Sequence, residues 1–332
     1  MTKYRNHLIS LALAVLAMAV LAGCGSSDDN KAKIALVAYS TPQEAYKQLI
    51  PAFQATAAGE GVKFSQSYGA SGEQSRAVEN GLPADVVAFS YTPDVNRLVD
   101  AGLVAPNWNS GPTDGFVTNS VVVFAVRKGN PKGVKTWADL TKPGVDIVTA
   151  NPVVSGGARW NLVAAYGQAR ESGASDQEAL AYVKQLLGNV SVQDKSGRES
   201  LQTFASGKGD VLLTYENEAK TAQAAGKDID YVIPPTTLLI QNPIAVLSKS
   251  QNKASAEAFV DFLLSDAGQE LFAQHGYRSI NPKLVDEKTY PTPEKLITIS
   301  ELGGWKALNK RFFDEEAGLI TKINEELGVS GK

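Results

Sequence analysis

The chain has 332 residues, 43% hydrophobic and 20% charged, with one Cys and a formal net charge of −3. This length admits about two ordinary domains, and the composition is that of a globular chain, not a disordered or fibrous one. Without a basic surplus nothing points to nucleic acid, and a single Cys can form no internal disulfide.

The first residues read as an export signal. Lys3 and Arg5 precede the apolar run LISLALAVLAMAVLA, which is short for a membrane span, and LAGC follows at residues 21–24. That ending resembles a bacterial lipobox, in which Cys24 would carry lipid and become the first residue of the mature chain. An ordinary cleaved signal with an incidental Cys is the alternative. Residues 25–32, GSSDDNKA, are small and polar and read as a flexible tether. Without Lys3 and Arg5 the net charge falls from −3 to −5. The expected location is extracytoplasmic, in the periplasm or on the outer face of the membrane, held there by lipid alone.

From Lys33 strand-like and helix-like stretches alternate. KIALVAY is an apolar run. Ala45, Leu49, Phe53 and Ala57 then recur at helical spacing, KFSQSY alternates as a strand, GEQSRAVENG reads as a helix, ADVVAFS as a strand, and TPDVNRLVDAG as a helix. This βαβ rhythm predicts an α/β fold with a largely parallel sheet. Near residue 117 a long β-branched run begins, FVTNSVVVFAVR, and VDIVTA follows it. Helical patterns cover 158–172 and 176–187, VSVQD is strand-like, GRESLQTFASGKG helical, and DVLLTYENEA runs from strand to helix. A second long run, TTLLIQNPIAVLS, precedes two helical stretches, SAEAFVDFLLSDAGQELFAQHG and the segment from PEKLITIS to ITKINEEL.

The two long runs, near 117–127 and 236–247, can serve as paired crossovers between two α/β lobes that hinge over a ligand. On that reading residues 33–118 plus 243–332 form lobe 1 and 119–242 form lobe 2. Three successive single-crossover domains are the alternative.

Four helix starts carry the chemistry. Thr41 with Pro42 and Glu44, or Ser40 with Gln43, fits a cap; so do Ser71 with Gln74, Ser155 ahead of Gly156 and Gly157, and Ser196 with Glu199 around Gly197. A helix start leaves backbone N–H groups without intrahelical partners, and the macrodipole adds about half a positive charge there. Glycine lets an anion approach them closely. Two Gly in a first turn cost up to about 1 kcal/mol each against Ala, so Gly156 and Gly157 need a reason beyond capping.

GNPKGVKTWADLTKPGVDIVTANPVVSGGARWNLVAAYG resembles the sulfate-binding receptors of bacterial ABC importers, as do SYGASGEQSRAVENGLPADVV, DVLLTYENEA and the tail YRSINP…ELGGW. The resemblance covers essentially all of the chain from Lys33. It implies a two-lobed periplasmic-binding-protein-like fold of type II with two crossover strands at the hinge. It further implies a receptor, lipid-tethered and monomeric, that takes sulfate or thiosulfate between its lobes through neutral donors and delivers it to a permease driven by a cytoplasmic ATPase. The family's ligand contacts fall on Ser155, Gly156 and Gly157 in SGG, on Ser71 in GASGEQ and on Gly197 in KSGR. Ser40 stands where the family usually has Asp, contributing its backbone amide. Tyr215 replaces the family's Trp, and its hydroxyl can donate or accept where an indole only donates.

A donor-only site suits sulfate, which has no proton to give at neutral pH, whereas a phosphate site can use a carboxylate. Glu73, Glu199 and Glu216 lie beside the mapped positions and are expected to cap or face solvent. Arg76, Arg159 and Arg198 are expected to form salt bridges within their lobes. Molybdate or phosphate is the alternative ligand. An extracytoplasmic enzyme is the rival of a different class: His275 reads as a helix C-cap, and Ser155 has no evident base partner. No cofactor and no metal site is expected, and Trp108, Trp137, Trp160 and Trp305 are expected in packing roles.

Overall fold

A computed structural model describes residues 32–314 and 316–326. The export signal, the lipobox Cys24 and nearly all of the tether lie outside the described residues. The apolar run Lys33–Tyr39 forms β1, whose last four residues are all buried. Helix α1, Gln43–Gln54, buries Ala45, Leu49 and Phe53, the stripe expected from their spacing. Strand β2 (Lys63–Gly69), helix α2 (Ser71–Glu79), strand β3 (Val86–Ala88) and helix α3 (Thr92–Asp100) follow in the predicted rhythm.

The first long run is β4, Phe116–Arg127. After it come a 3-10 turn at Trp137–Thr141, β5 (Ile147–Ala150), α4 (Gly156–Glu171), α5 (Asp176–Gly188), β6 (Val190–Asp194), α6 (Gly197–Ala205), β7 (Val211–Tyr215), α7 (Glu216–Ala224) and β8 (Ile229–Val232). The second long run is β9, Thr236–Val246. Helices α8 (Lys253–Leu264) and α9 (Asp266–Gln274) divide one predicted helical stretch at Ser265, whose hydroxyl accepts from the Gly268 N–H and starts the new helix.

The last predicted helical stretch divides further. Lys295–Ile297 is a strand, β10, paired in parallel with β9. Helices α10 (Gly304–Phe312) and α11 (Leu319–Glu326) come after it. Pro291 and Pro293 bias the segment ahead of β10 toward extended backbone, and pairing with β9 outweighs the weak helical spacing.

The strand order β2-β1-β3-β9-β4-β7-β5-β6 explains the two lobes. Strands β1, β2 and β3 are parallel at one end, and β7, β5 and β6 are parallel at the other. Between them β4 and β9 run antiparallel, with Ser120 opposite Ile240. Each changes partner along its length. From Val122 onward β4 pairs with β7. From Ile244 onward β9 pairs with β3. The two long runs are therefore shared between the lobes, and the chain has the two-lobed, type II architecture with two crossover strands.

Each lobe has its own core. Leu36, Leu49, Phe53 and Phe259 belong to the first, where the Phe53 and Phe259 rings meet edge-on at 5.2 Å. Phe124, Trp137, Trp160 and Leu213 belong to the second. Packing does not keep residues 243–332 together. Ala256, Phe259 and Phe272 join the first core, but Ile297, Trp305, Leu308, Phe312 and Ile320 join the second. Trp305 sits edge-on to Trp160 at 4.7 Å and to Tyr91 at 5.0 Å. An amphipathic stripe states that a helix is packed, not against which lobe, and β10 leads this one onto the second.

Candidate functional site

The four helix starts singled out in the sequence meet at one small cavity of about 20 Å³. Ser40 and Thr41 reach it from the end of β1, Ser71 from α2, Ser155 and Gly157 from α4, and Ser196 and Gly197 from α6. A fifth start, not marked by a Ser or Thr cap, joins them: Tyr215 ends β7 and is the N-cap residue of α7. Spacing along a chain cannot show this convergence, which follows from strands of both lobes ending at the same crevice.

The starts differ locally. Ser155 and Ser196 cap their own helices, accepting from Ala158 N–H and Glu199 N–H at 3.3 Å each. An accepting hydroxyl keeps its proton for another partner. Ser71 and Thr41 do not cap. Ser71 is already the first residue of α2, and its hydroxyl donates to the Asp94 carboxylate while accepting from Ser90 N–H at 3.0 Å. Gln74 accepts from the Ser67 hydroxyl instead of completing a capping box. Thr41 donates to Glu218 Oε1 at 3.0 Å, and α1 has no side-chain cap.

The two glycines of SGG have different neighbours. A Cβ at Gly156 would lie 2.2 Å from Ser90 Oγ and 2.6 Å from a Tyr91 ring carbon. Gly156 is bare because the first lobe presses against it, and it does not line the cavity. Gly157 does line it, with the Tyr215 hydroxyl 3.6 Å from where its Cβ would stand. The other predicted residues, Ser40, Ser71, Ser155, Gly197 and Tyr215, also line it.

Buried polar atoms gather there. Tyr39 Oη, Tyr215 Oη, Ser90 Oγ and Asn161 Oδ1 have no hydrogen-bond partner among the described residues, and all four residues line the cavity. Leaving a buried polar group unpaired costs about 1–3 kcal/mol, so four around one space indicate a polar guest. Burial also pushes the Tyr215 hydroxyl well above its ordinary pKa, which keeps its proton available to donate.

The charged residues depart from expectation. Arg198 pairs with Glu44 at 2.7 Å, a bridge between lobes and not within one. Arg159 donates to the Pro152 carbonyl at 2.8 Å and lies over the Phe313 ring, so it makes no salt bridge among the described residues. No salt bridge involves Arg76 among the described residues; burial raises the pKa of nearby Asp94, and the Arg76 charge offsets only a small part of that rise. Glu73 and Glu199 are exposed, as expected. Glu216 is fully buried and paired with Arg278 at 2.6 Å, because α7 turns its first residue into the protein and not to solvent.

Sequence reasoning missed Glu218. Its carboxylate lines the cavity and accepts from the Thr41 and Thr214 hydroxyls. Burial raises its pKa. An acidic residue in a first helical turn has an ordinary explanation in the macrodipole, which hid it. Asp94, buried behind Ser71, is pushed up by desolvation to about 6. His275 ends α9 as the predicted C-cap.

Comparison with known proteins places this arrangement. The family model described as bacterial extracellular solute-binding protein matches residues 34–278. The sulfate-binding protein of Synechococcus elongatus is 41% identical, over 99% of this chain and 98% of that protein. A thiosulfate-binding protein of Pseudomonas aeruginosa is 35% identical, over 83% of this chain and 88% of that one. Among solved structures, the sulfate-binding protein SubI from Mycobacterium tuberculosis superposes with a TM-score of 0.83 at 43% identity, covering 85% of this chain and all of that one. The chain belongs to the bacterial extracellular solute-binding protein family.

Proposed function

We propose that the protein is the extracytoplasmic receptor of an ABC importer for sulfate or thiosulfate, a binding protein and not an enzyme, tethered to the membrane by lipid on Cys24. Its partners are the oxyanion, the permease and the permease's cytoplasmic ATPase. Lobe 1 takes residues 33–118 and 243 to about 294, and lobe 2 takes residues 119–242 together with the C-terminal segment that packs on it.

One observation carries the reading: helix starts from both lobes surround one cavity lined by hydroxyls and amides, with no Lys or Arg on its wall among the described residues. Backbone amides and macrodipoles hold an anion without a counter-charge. Ser155, Gly157 and Gly197 then supply the second lobe's share, with Tyr215 donating its unpaired hydroxyl and Gly156 giving the first lobe room to close against the second. Ser40 and Ser71 supply the first lobe's share through the backbone, since the Ser71 proton goes to Asp94. The relatives named for sulfate and thiosulfate support the ligand class. Phosphate is the second reading, favoured by the Glu218 carboxylate on the wall.

Thermal unfolding of the mature protein against sulfate, thiosulfate, phosphate and molybdate tests this. A ligand at about 100 times its Kd stabilises the native state by about 2.7 kcal/mol, a shift of several degrees. Sulfate or thiosulfate is expected to shift the midpoint and phosphate to leave it unmoved. A shift with phosphate or molybdate alone moves the ligand, and no shift with any of the four overturns the reading.

A further inference from the structure

The cavity has a tyrosine from each lobe. Tyr215 ends β7 in the second, and Tyr39 ends β1 in the first. Tyr39 is 6% exposed and Tyr215 3%, both line the cavity, and neither hydroxyl has a hydrogen-bond partner among the described residues. No helix start or capping pattern marks Tyr39. Its strand belongs to the first lobe, yet its ring packs in the second lobe's apolar cluster with Leu213 and Tyr215. The side chain therefore stands at the boundary on which the cavity lies.

Where the Tyr39 proton goes decides what the side chain does. The carboxylate nearby is Glu218, and its two oxygens accept from Thr41 and Thr214, not from Tyr39. Thr118, also close, gives its own proton to Asn242 Oδ1 at 3.1 Å. Tyr277 is a second buried phenol, away from the cavity wall, and the two phenols form no hydrogen bond in this structure. Burial raises the pKa of both, which keeps both protons in place at neutral pH. Within that rise Tyr277 lowers the value for Tyr39 while Tyr39 raises the value for Tyr277, the signs of a proton on Tyr277 turned toward the Tyr39 oxygen. Nothing in the protein takes the Tyr39 proton.

We propose that the Tyr39 hydroxyl is a ligand donor, so that a phenol from each lobe, Tyr39 and Tyr215, donates to the bound oxyanion. The proposal rests on the oxyanion-receptor reading. It gives the first lobe a side-chain proton for the ligand, which Ser71 and Thr41 do not provide because theirs go to Asp94 and Glu218. A phenol donates without bringing a counter-charge, in keeping with a wall of hydroxyls and amides. With one such donor on each side, the ligand ties the lobes together.

Sulfate titration calorimetry and unliganded thermal unfolding of the mature protein test this together. Tyr39→Phe removes one oxygen and keeps the ring. Affinity is expected to fall roughly tenfold or more, the loss of one hydrogen bond to a charged partner. The unliganded midpoint should hold or rise, because the hydroxyl has no partner to lose. Tyr277→Phe removes an unpaired hydroxyl that lies off the wall and should leave affinity unchanged. Unaltered affinity in Tyr39→Phe overturns the proposal. A lowered unliganded midpoint also overturns it, because the hydroxyl then has a partner within the protein. An equal loss of affinity in Tyr277→Phe does the same, making Tyr39 a link in a buried network and not a contact. If the unaltered protein binds none of the oxyanions, it is the receptor reading that fails.

Discussion

The helix starts of the two lobes are alike in sequence and behave differently in the fold. In lobe 2, Ser155 and Ser196 accept from their own helices, leaving their protons uncommitted. In lobe 1, Thr41 and Ser71 give their protons to the buried carboxylates of Glu218 and Asp94, and neither helix has a side-chain cap. A cap motif therefore records that a hydroxyl is near a helix start. Where the hydroxyl's proton goes is set by the strongest acceptor within reach, and a buried carboxylate accepts it more strongly than a neutral oxygen.

The largest expected effect breaks the contact on which both halves depend. Gly156→Val puts a side chain into Ser90 and Tyr91 of the first lobe and prevents the lobes from meeting. Sulfate binding should fall by roughly 100-fold or more, the scale of blocking closure over the ligand. Calorimetry showing near-normal affinity would remove Gly156 from the mechanism.

Asp94 gives the next effect. Its carboxyl has an ordinary pKa of 3.8 and sits at about 6 in the folded protein, chiefly through burial. The folded state therefore holds that proton more tightly than the unfolded chain. The stability this provides is complete below pH 3.8 and lost as pH rises to about 6, by an amount on the order of 3 kcal/mol. Asp94→Asn removes the titration, so the unfolding midpoint of the native protein minus that of the variant should decline between pH 4 and 7. A flat difference would show that Asp94 does not titrate there.

Removing a cap sharpens the contrast between lobes. Ser155→Ala should cost about 1 kcal/mol of stability through α4, lowering the unliganded midpoint by a few degrees, as well as weakening sulfate binding. Thr41→Val loses no cap and should lower the unliganded midpoint less. Equal losses would mean that Thr41 caps α1 after all.

The smallest effect concerns the bridge between lobes. Arg198 and Glu44 are each about one-third exposed, so Arg198→Gln should change stability by at most about 1 kcal/mol, with a difference that shrinks as salt is added. A large, salt-independent loss would mark that pair as more than a surface contact.

Much was legible before folding. Apolar periodicity located β1, α1, β4, α4 and β9, because a stripe of the right period has few stable alternatives. The SGG motif marked a start that had given up side chains, and the family resemblance pointed to Ser40, Ser71, Gly197 and Tyr215, which line the same cavity. Less legible were the break at Ser265 and strand β10, where local spacing was ambiguous and pairing with β9 decided the outcome.

By itself the sequence determined local matters: which segments are helices and strands, which residues stand at helix starts, and that two long runs could link two lobes. These depend on groups a few residues apart. Only the tertiary structure decided that five starts share one cavity, that Trp305 and Phe312 pack with the second lobe, and that Gly156 is bare for Ser90 and Tyr91. It alone decided where the protons of Thr41 and Ser71 go. The acceptors lie 177 and 23 residues along the chain from their donors, and hydrogen-bond choice depends on distance in space, which no local pattern encodes.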